Sequence, residues 1–194
     1  MTGDRLIVGI TGASGITYGI RILEVLRAAG IETHLVVSPS GQVTREYETD
    51  LRKDELEGLA DRVYKPADIG AAISSGSFLT RGMIVAPCSM RTLAEIATGV
   101  TSGLVSRSAD VILKERRRLV LLTREAPLNL VHLRNMTTVT EAGAIVFPPV
   151  PAMYTRPTTL EEVIDQTVGR ALDLFDVHLD TFPRWGYDHA AVAA

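Results

Sequence analysis

The first residues that can do chemistry form a short turn, Gly12-Ala13-Ser14-Gly15, near the start of the chain. Such a turn brings backbone N–H groups close to an anion, and the Ser14 hydroxyl can cap the following helix or bind a phosphate. The glycine spacing matches neither the G-x-G-x-x-G of dinucleotide enzymes nor a P-loop. The turn therefore predicts another kind of phosphate site, the alternative being a tight strand–helix turn without a ligand.

Further polar residues follow later strands of the same pattern. Ser38 ends the second predicted strand, where a dinucleotide site would need an acidic residue for the ribose, so it suits a phosphate or ring contact better. Ser89 and Thr92 follow another buried strand and are expected at the same sheet edge. Arg124-Glu125 also ends a buried strand, where a charge pair is costly without a ligand or partner. Glu48 ends a short helix that faces the tip of the second strand.

The sulfur and imidazole groups do not form a metal-binding pattern. Cys88 is the one cysteine, which excludes an intramolecular disulfide, and we interpret it as a small buried residue rather than a nucleophile. The four histidines are scattered, without H-x-x-x-H or H-E-x-x-H spacing. We therefore expect no metal.

Alternating strands and helices position these residues. The first predicted strand, Arg5–Ile10, is followed by a helix whose apolar residues recur at helical spacing. The other predicted strands are 33–37, 62–64, 83–86, 119–123 and 144–147, and the other predicted helices are 39–50, 92–98, 108–117, 129–142 and 160–175. This alternation predicts the α/β class, with a three-layer open parallel sheet of Rossmann-like or flavodoxin-like topology.

Three segments do not fit regular elements. Residues 65–81 contain the sequence SSGS, and we interpret them as an active-site flap. The run KERRR, at residues 114–118, is interpreted as a solvated helix end, and residues 99–107 as a second loop. The only tryptophan, Trp185, lies in a tail that we expect to dock against something, a neighbouring subunit included.

Composition limits the function classes. The 194 residues suit one domain, 1–194, and 46% hydrophobic with 22% charged residues is an ordinary globular composition. A net charge of −3 argues against a nucleic-acid binder. Because there is neither an apolar run long enough for a bilayer nor a signal-peptide pattern, we expect no membrane segment and a cytoplasmic location.

Several stretches together resemble one family, the flavin prenyltransferases of UbiX type. These are GITGASG at 9–15, ETD at 48–50, SGS at 75–77, PCS at 87–89, LKERRRLVLLTREAP at 113–127, Tyr154 and the PRWG tail. The likeness spans almost the whole chain in order, and the KERR-to-REAP block is specific. It implies transfer of a dimethylallyl group from dimethylallyl phosphate to N5 and C6 of reduced FMN, giving prenylated FMN for a UbiD-type decarboxylase.

The resemblance also implies roles for individual residues. It assigns FMN binding to Gly12, Ala13, Ser14, Ser38, Ser89, Thr92 and Arg107. It assigns the dimethylallyl phosphate to Ser75, Gly76, Lys114, Arg124, Glu125, Tyr154 and Arg170, some of them from a neighbouring subunit of a trimer or dodecamer. Glu48, Glu125, Lys114 and Ser14 are the expected catalytic residues. Lysine, arginine and a tyrosyl hydroxyl form a reasonable set for a phosphate dianion.

Two other functions fit parts of the pattern. One is an FMN-dependent cysteine decarboxylase of related fold, although its P-x-M-N-x-x-M-W stretch is replaced here by REAPLNLVHLRNM. The other is a non-catalytic flavin carrier within a decarboxylase complex. The flap also departs from the family: residues 69–73 are Ile-Gly-Ala-Ala-Ile, where members often carry a tryptophan and prolines. Loss of that aromatic wall is expected to change rate or substrate range rather than reaction type.

Overall fold

The fold is described by a computed structural model, which covers residues 4–179 and 182–186. Its strands are β1 (Arg5–Ile10), β2 (Glu32–Val37), β3 (Arg62–Tyr64), β4 (Gly82–Cys88), β5 (Arg118–Thr123) and β6 (Ile145–Val146). Its α-helices are α1 (Ile16–Ala28), α2 (Pro39–Glu48), α3 (Lys53–Glu57), α4 (Met90–Thr98), α5 (Leu104–Lys114), α6 (Leu130–Glu141) and α7 (Leu160–Asp173). Short 3-10 turns lie at Ala72–Ser74 and Met153–Thr155.

The described strands form one parallel sheet in the order β3-β2-β1-β4-β5-β6. The predicted α/β class and open parallel sheet are confirmed. Strands are added outward from β1 to β3 on one side of the sheet and from β4 to β6 on the other. In such folds ligands bind in the crevice between the two central strands, here β1 and β4, at their carboxyl ends. The central strands are apolar on both sides because helices cover both faces of the sheet.

Two apolar layers flank the sheet and fix its helices. One contains Leu23 and Leu26 of α1 with Leu172 of α7, and all three side chains are fully buried. The other lies beneath α4, α5 and α6 and includes Leu104 and Val139. Strand residues alternate between the two layers, as the pleat of a strand requires. The result is the three-layer arrangement that the sequence predicts.

The largest differences between the predicted and observed elements lie at two places. Residues 99–107 are not a loop throughout, because α5 begins at Leu104 and ends at Lys114, whereas we predicted 108–117. Its end is set by Arg116, whose φ of 56° lies in the left-handed region and stops the helix. The short helix α3 was missed inside a charged segment, where Glu55 accepts a hydrogen bond from the Arg52 N–H and closes the first turn.

No helix in the described part of the chain combines the length and the apolar character that a membrane crossing would need.

Candidate functional site

A cavity of about 270 Å³ lies at the carboxyl edge of the sheet, beside the crevice between β1 and β4. Its wall is rich in hydroxyl groups and in glycine residues. Hydroxyl groups and backbone N–H groups can bind an anion without adding charge. These wall residues are Gly12, Ser38, Ser40, Ser89, Thr92, Ser102, Gly103 and Ser106. The cavity therefore joins the residues that end β1, β2 and β4, and it contains four of the predicted cofactor residues: Gly12, Ser38, Ser89 and Thr92.

Three helices begin at this cavity, which makes it electropositive. Ser38 caps α2 by accepting from the Gly41 N–H at 3.0 Å, and Ser89 caps α4 by accepting from the Thr92 N–H at 3.2 Å. Gly103 precedes α5 in extended backbone. The N-terminus of a helix carries a partial positive charge and N–H groups without partners in the helix. Three helix N-termini around one cavity therefore suit a phosphate group.

The cavity wall also requires glycine at one point. A Cβ added at Gly12 would overlap the Ser40 side chain on the first turn of α2. The absence of a side chain there lets β1 and α2 approach each other and keeps the floor of the cavity open. The donor set and this close approach suit the phosphate end of a mononucleotide.

The N-terminus of α1, however, is already occupied by a carboxylate of the protein. Oε2 of Glu48 accepts from the N–H groups of Gly15 at 2.8 Å and Ile16 at 3.0 Å. The prediction that the turn, Gly12 to Gly15, offers its N–H groups to a phosphate is therefore wrong at Gly15. The prediction that Ser14 caps α1 is also wrong, because Gly15 is the N-cap residue, with φ of 104°, and no side chain of its own caps the helix.

Glu48 forms a small polar centre with its neighbours. Partial burial alone would raise the pKa of Glu48, but hydrogen bonds from the Ser14 hydroxyl and the Gly15 and Ile16 N–H groups outweigh it and lower the pKa. The positive charge of Arg124 acts in the same direction. Glu48 is thus held ionised at neutral pH. The structure brings Ser14, Glu48 and Arg124 together, as three residues far apart in the sequence.

Tyr18 belongs beside this centre and was missed in the sequence. Burial raises the pKa of its phenol, while a hydrogen bond with Thr167 and the charge of Arg124 act against the rise. Its ring lies over Gly15, where an added Cβ would be 3.0 Å from a ring carbon. The apolar spacing of α1 hid this residue, because a tyrosine on the inner face of a helix is usually part of the core.

A second group of predicted residues lies along α5 and the flap, residues 65–81. Arg107 donates to the Ser74 carbonyl at 3.3 Å and pairs with Asp110 at 2.7 Å. Lys114 pairs with Glu115, and a Cβ at Gly76 would overlap the Glu115 carboxylate. Gly76 of the flap therefore lies close to the end of α5, which carries Arg107 and Lys114, and Arg107 is directed toward the flap.

The flap is fixed to this surface by an arginine that we predicted to be solvated. Arg117 donates to the carbonyl groups of Gly76 and Phe78, both at 2.6 Å, and its side chain is 16% exposed. The neighbouring Arg118 donates to the Leu174 carbonyl. The interpretation of KERRR as a solvated helix end is therefore wrong for Arg117, whereas Arg118 is exposed.

A third group lies between α7 and the tail. Arg170 pairs with Asp173 at 2.9 Å, and Arg184 donates two hydrogen bonds to the same carboxylate at 2.7 and 2.8 Å. Burial alone would raise the pKa of Asp173, but Arg184, His178 and Arg170 lower it to about 2. Tyr154 meets Trp185 edge to face, with ring centroids 5.2 Å apart. The described part of the tail thus docks on its own chain; the rest of it, 180–181 and 187–194, lies outside the described residues.

Two predicted residues remain: Ala13 is half-buried and Glu125 is exposed. Ala13 lies in the turn before α1, and Glu125 accepts from the N–H of its neighbour Ala126 at 3.0 Å. Among the described residues, no group of three His, Cys, Asp or Glu side chains is placed to hold a metal ion. Cys88 is fully buried, and burial raises the pKa of its thiol to about 12.

The comparisons with known proteins all indicate the same family. The family model described as Flavoprotein matches residues 1–174. The flavin prenyltransferase UbiX of Neisseria meningitidis serogroup B is 55% identical over 181 residues, which cover 93% of this chain and 96% of that protein.

Two solved structures are similar throughout. One is AnUbiX (PadA1) in complex with FMN and dimethylallyl pyrophosphate, with a TM-score of 0.93 and 53% identity, covering 94% of this chain and 97% of that one. The other is a dodecameric FMN-dependent UbiX-like decarboxylase from Escherichia coli O157:H7, with a TM-score of 0.91 and 47% identity, covering 93% and 98% of the two chains.

Proposed function

The chain belongs to the Flavoprotein family and, within it, to the UbiX-type flavin prenyltransferases, and we propose that it transfers a dimethylallyl group from dimethylallyl phosphate to N5 and C6 of reduced FMN. The observation that carries the proposal is the hydroxyl-lined cavity at three helix N-termini, next to the Ser14–Glu48–Arg124 centre. Its donor set suits the FMN phosphate, and a similar chain binds FMN together with dimethylallyl pyrophosphate.

In this proposal the FMN phosphate is held by Ser38, Ser89 and Thr92, with the N-termini of α2, α4 and α5. Gly12 and Ala13 allow the ring end to pass close to the backbone of the turn. The cavity lining also contains a cation, Arg91, whose exposed side chain pairs with Glu95 at 3.1 Å. Arg107 stays a predicted FMN residue; its guanidinium faces the flap of its own chain.

The reduced flavin supplies two nucleophilic atoms, N5 and C6, when it is bound. Departure of the donor's phosphate leaves an allylic cation, so the protein must stabilise the leaving phosphate in a site that excludes water. Lys114, Arg124 and Arg170 supply positive charge for it, and Tyr154 donates a hydrogen bond. Ser75 and Gly76 add a hydroxyl and a backbone N–H from the flap.

Glu48 is the proposed base for the proton at C6. Its lowered pKa keeps it ionised near neutral pH, and the Ser14 hydroxyl orients its carboxylate. Glu125 then orients the phosphate clamp or relays a proton. The second bond, to C6, requires a proton on the prenyl double bond, and the proton lost from C6 balances it. The product is prenylated FMN, and the net change is addition of one C5H8 unit with release of phosphate.

The residues proposed to bind dimethylallyl phosphate come from three separate places in the chain. These are α5 with the flap, the end of β5, and α7 with the tail. We therefore propose that the complete site is assembled between subunits of a homo-oligomer, a trimer or a dodecamer. Exposed apolar side chains at the start of α6 support such contacts, since Leu130 is 59% and Val131 61% exposed. Delivery of the product to a UbiD-type decarboxylase and a cytoplasmic location stay predictions.

Mass spectrometry of the flavin tests the reaction. Purified protein incubated without oxygen with reduced FMN and dimethylallyl phosphate should yield a flavin heavier by one C5H8 unit. Lys114→Met should lower the yield, whereas Lys53→Met is the matched control, because Lys53 is an exposed lysine on α3 paired with Glu57. An unchanged flavin mass with both the monophosphate and the diphosphate would refute the proposal.

Two outcomes would point to the alternatives instead. An aminoenethiol product from a cysteinyl peptide would indicate a cysteine decarboxylase. A carrier would bind FMN and activate its partner equally well after Lys114→Ala and Glu125→Ala. If these substitutions abolish activation while FMN stays bound, the carrier function is excluded.

A further inference from the structure

Thr11, the residue between β1 and the glycine turn, is 1% exposed and is bonded to the turn that ends β4. Its hydroxyl donates to the Pro87 carbonyl at 2.8 Å and accepts from the Ser89 N–H, also at 2.8 Å. Its own N–H donates to the same Pro87 carbonyl at 3.2 Å. One buried hydroxyl therefore fixes the path of the chain from Pro87 to Ser89.

This path determines how α4 meets the cavity. A helix begins with four N–H groups that lack partners within it. At α4 the Ser89 N–H is bonded to Thr11, and the Thr92 N–H is bonded to the Ser89 hydroxyl. The N–H groups between them, those of Met90 and Arg91, are the ones left for an anion. Their direction follows from the orientation of Ser89, which depends on Thr11.

The residues next to Thr11 orient a second helix in the same way. The Ile10 carbonyl accepts from the Ser38 N–H at 2.9 Å, just before α2 begins. Gly12 packs directly against Ser40 on the first turn of that helix. The segment from Ile10 to Gly12 thus holds the starts of α2 and α4 in a fixed relation, and both helices line the cavity.

We propose that Thr11 is a positioning residue for the phosphate of FMN, acting through Ser89 and the first turn of α4. The proposal rests on the proposed function, which places FMN in this cavity. Thr11 lies behind the wall and acts without touching the ligand. It holds the hydrogen-bond donors for the phosphate in place before the ligand arrives, so that binding does not have to order them.

Thr11→Val tests this, because valine keeps the shape of the side chain and removes both hydroxyl bonds. The dissociation constants of FMN and riboflavin are measured by quenching of flavin fluorescence. We expect the FMN constant to rise roughly fivefold, the equivalent of about one net hydrogen bond. The riboflavin constant should stay the same, because riboflavin lacks the phosphate. Thr11→Ser retains the hydroxyl and should restore the affinity for FMN.

Thr33→Val is the matched control for a purely structural effect. Thr33 is fully buried on β2, and its hydroxyl also makes two hydrogen bonds, donating to the Asp61 carboxylate at 2.9 Å and accepting from the Asp61 N–H at 3.1 Å. Loss of the Thr33 hydroxyl should lower the melting temperature about as much as Thr11→Val does, without changing the affinity for FMN. If Thr11→Val does not fold, Thr11→Cys, with its weaker hydrogen bonds, is measured in the same way.

The outcomes separate this inference from the function on which it rests. Unchanged FMN affinity in the folded variant, an equal loss for riboflavin, or an equal loss in Thr33→Val would each overturn the role of Thr11. Failure of the wild-type protein to bind FMN would instead overturn the proposed function.

Discussion

Replacement of Glu48 by glutamine separates the two tasks that the structure gives this residue, capping α1 and holding a negative charge. Glutamine keeps a similar shape and one acceptor oxygen, so the hydrogen bonds from the Gly15 and Ile16 N–H groups can persist. The charge is lost, and with it the interactions with the helix dipole and with Arg124. The substitution therefore removes electrostatics while leaving the packing nearly intact.

The expected loss of stability is small but measurable. A hydrogen bond to a charged group contributes about 1.5–3 kcal/mol against about 0.5–1.5 for a neutral one. A charge at a helix terminus adds about 0.3–1 kcal/mol. Because Glu48 is an exposed residue, solvent screens these terms, and we expect a net loss of about 1 kcal/mol. For a chain of this size that lowers the melting temperature by about 2–4 °C.

The loss must depend on pH if the reasoning is right. The pKa of Glu48 is lowered in the folded chain from its ordinary value of 4.5, so its contribution is present above 4.5 and disappears as the pH falls through the lowered pKa. Thermal unfolding followed by circular dichroism should thus show wild type and Glu48→Gln converging in acid.

The control for this experiment is Glu46→Gln, two residues earlier on the same helix, where the side chain is 66% exposed and pairs with Arg45. It should leave the melting temperature nearly unchanged. A difference between wild type and Glu48→Gln that stays constant from neutral pH into acid would refute the reasoning. Glu48→Gln should also slow prenyl transfer while the FMN constant stays the same, because Glu48 lies outside the cavity wall.

Three further predictions concern single residues. Gly12→Ala should weaken FMN binding at least tenfold, because the new Cβ would overlap Ser40 and displace the start of α2; fluorescence titration measures it. Cys88 should not react with a thiol reagent at about pH 8 until the protein is unfolded, because burial raises its pKa to about 12. Burial lowers the pKa of His34 more than Glu32 raises it, so the free energy of unfolding should fall as the pH drops below 6.5. His34→Gln should remove this slope in pH-dependent denaturant titrations.

The sheet was predictable because each central strand is a short, buried, apolar run that ends at a polar turn. Arg5–Ile10 is the clearest case, since both its sequence pattern and its burial are those of a strand covered on two faces. The error at α5 has a local cause. Residues 99–107 contain glycine and hydroxyl residues that are typical of a loop, yet Ser106 bonds back to Gly103 and closes the first helical turn. Such capping depends on backbone conformation, which composition does not specify.

The convergence of several candidate residues on one cavity was predictable, but their contacts were not. Ser38, Ser89 and Thr92 follow strands that end at one edge, so their convergence on a cavity follows from the parallel topology. The bonds between Glu48 and the turn join residues more than thirty positions apart, and no spacing rule predicts them. Arg117 was missed for a related reason: its carbonyl partners lie in the flap, whose path over α5 only the fold determines.

The occupation of the α1 N-terminus by Glu48 agrees with the proposal that the FMN phosphate binds at other helices. A phosphate dianion at the start of α1 would compete with Glu48 for the N–H groups of Gly15 and Ile16. It would also raise the pKa of Glu48, because a nearby negative charge favours the protonated acid. Placing the phosphate at α2, α4 and α5 leaves the dipole of α1 to stabilise the carboxylate. The glycine turn therefore holds the carboxylate of the proposed base Glu48, and the left-handed conformation of Gly15, with φ of 104°, lets its N–H reach that carboxylate.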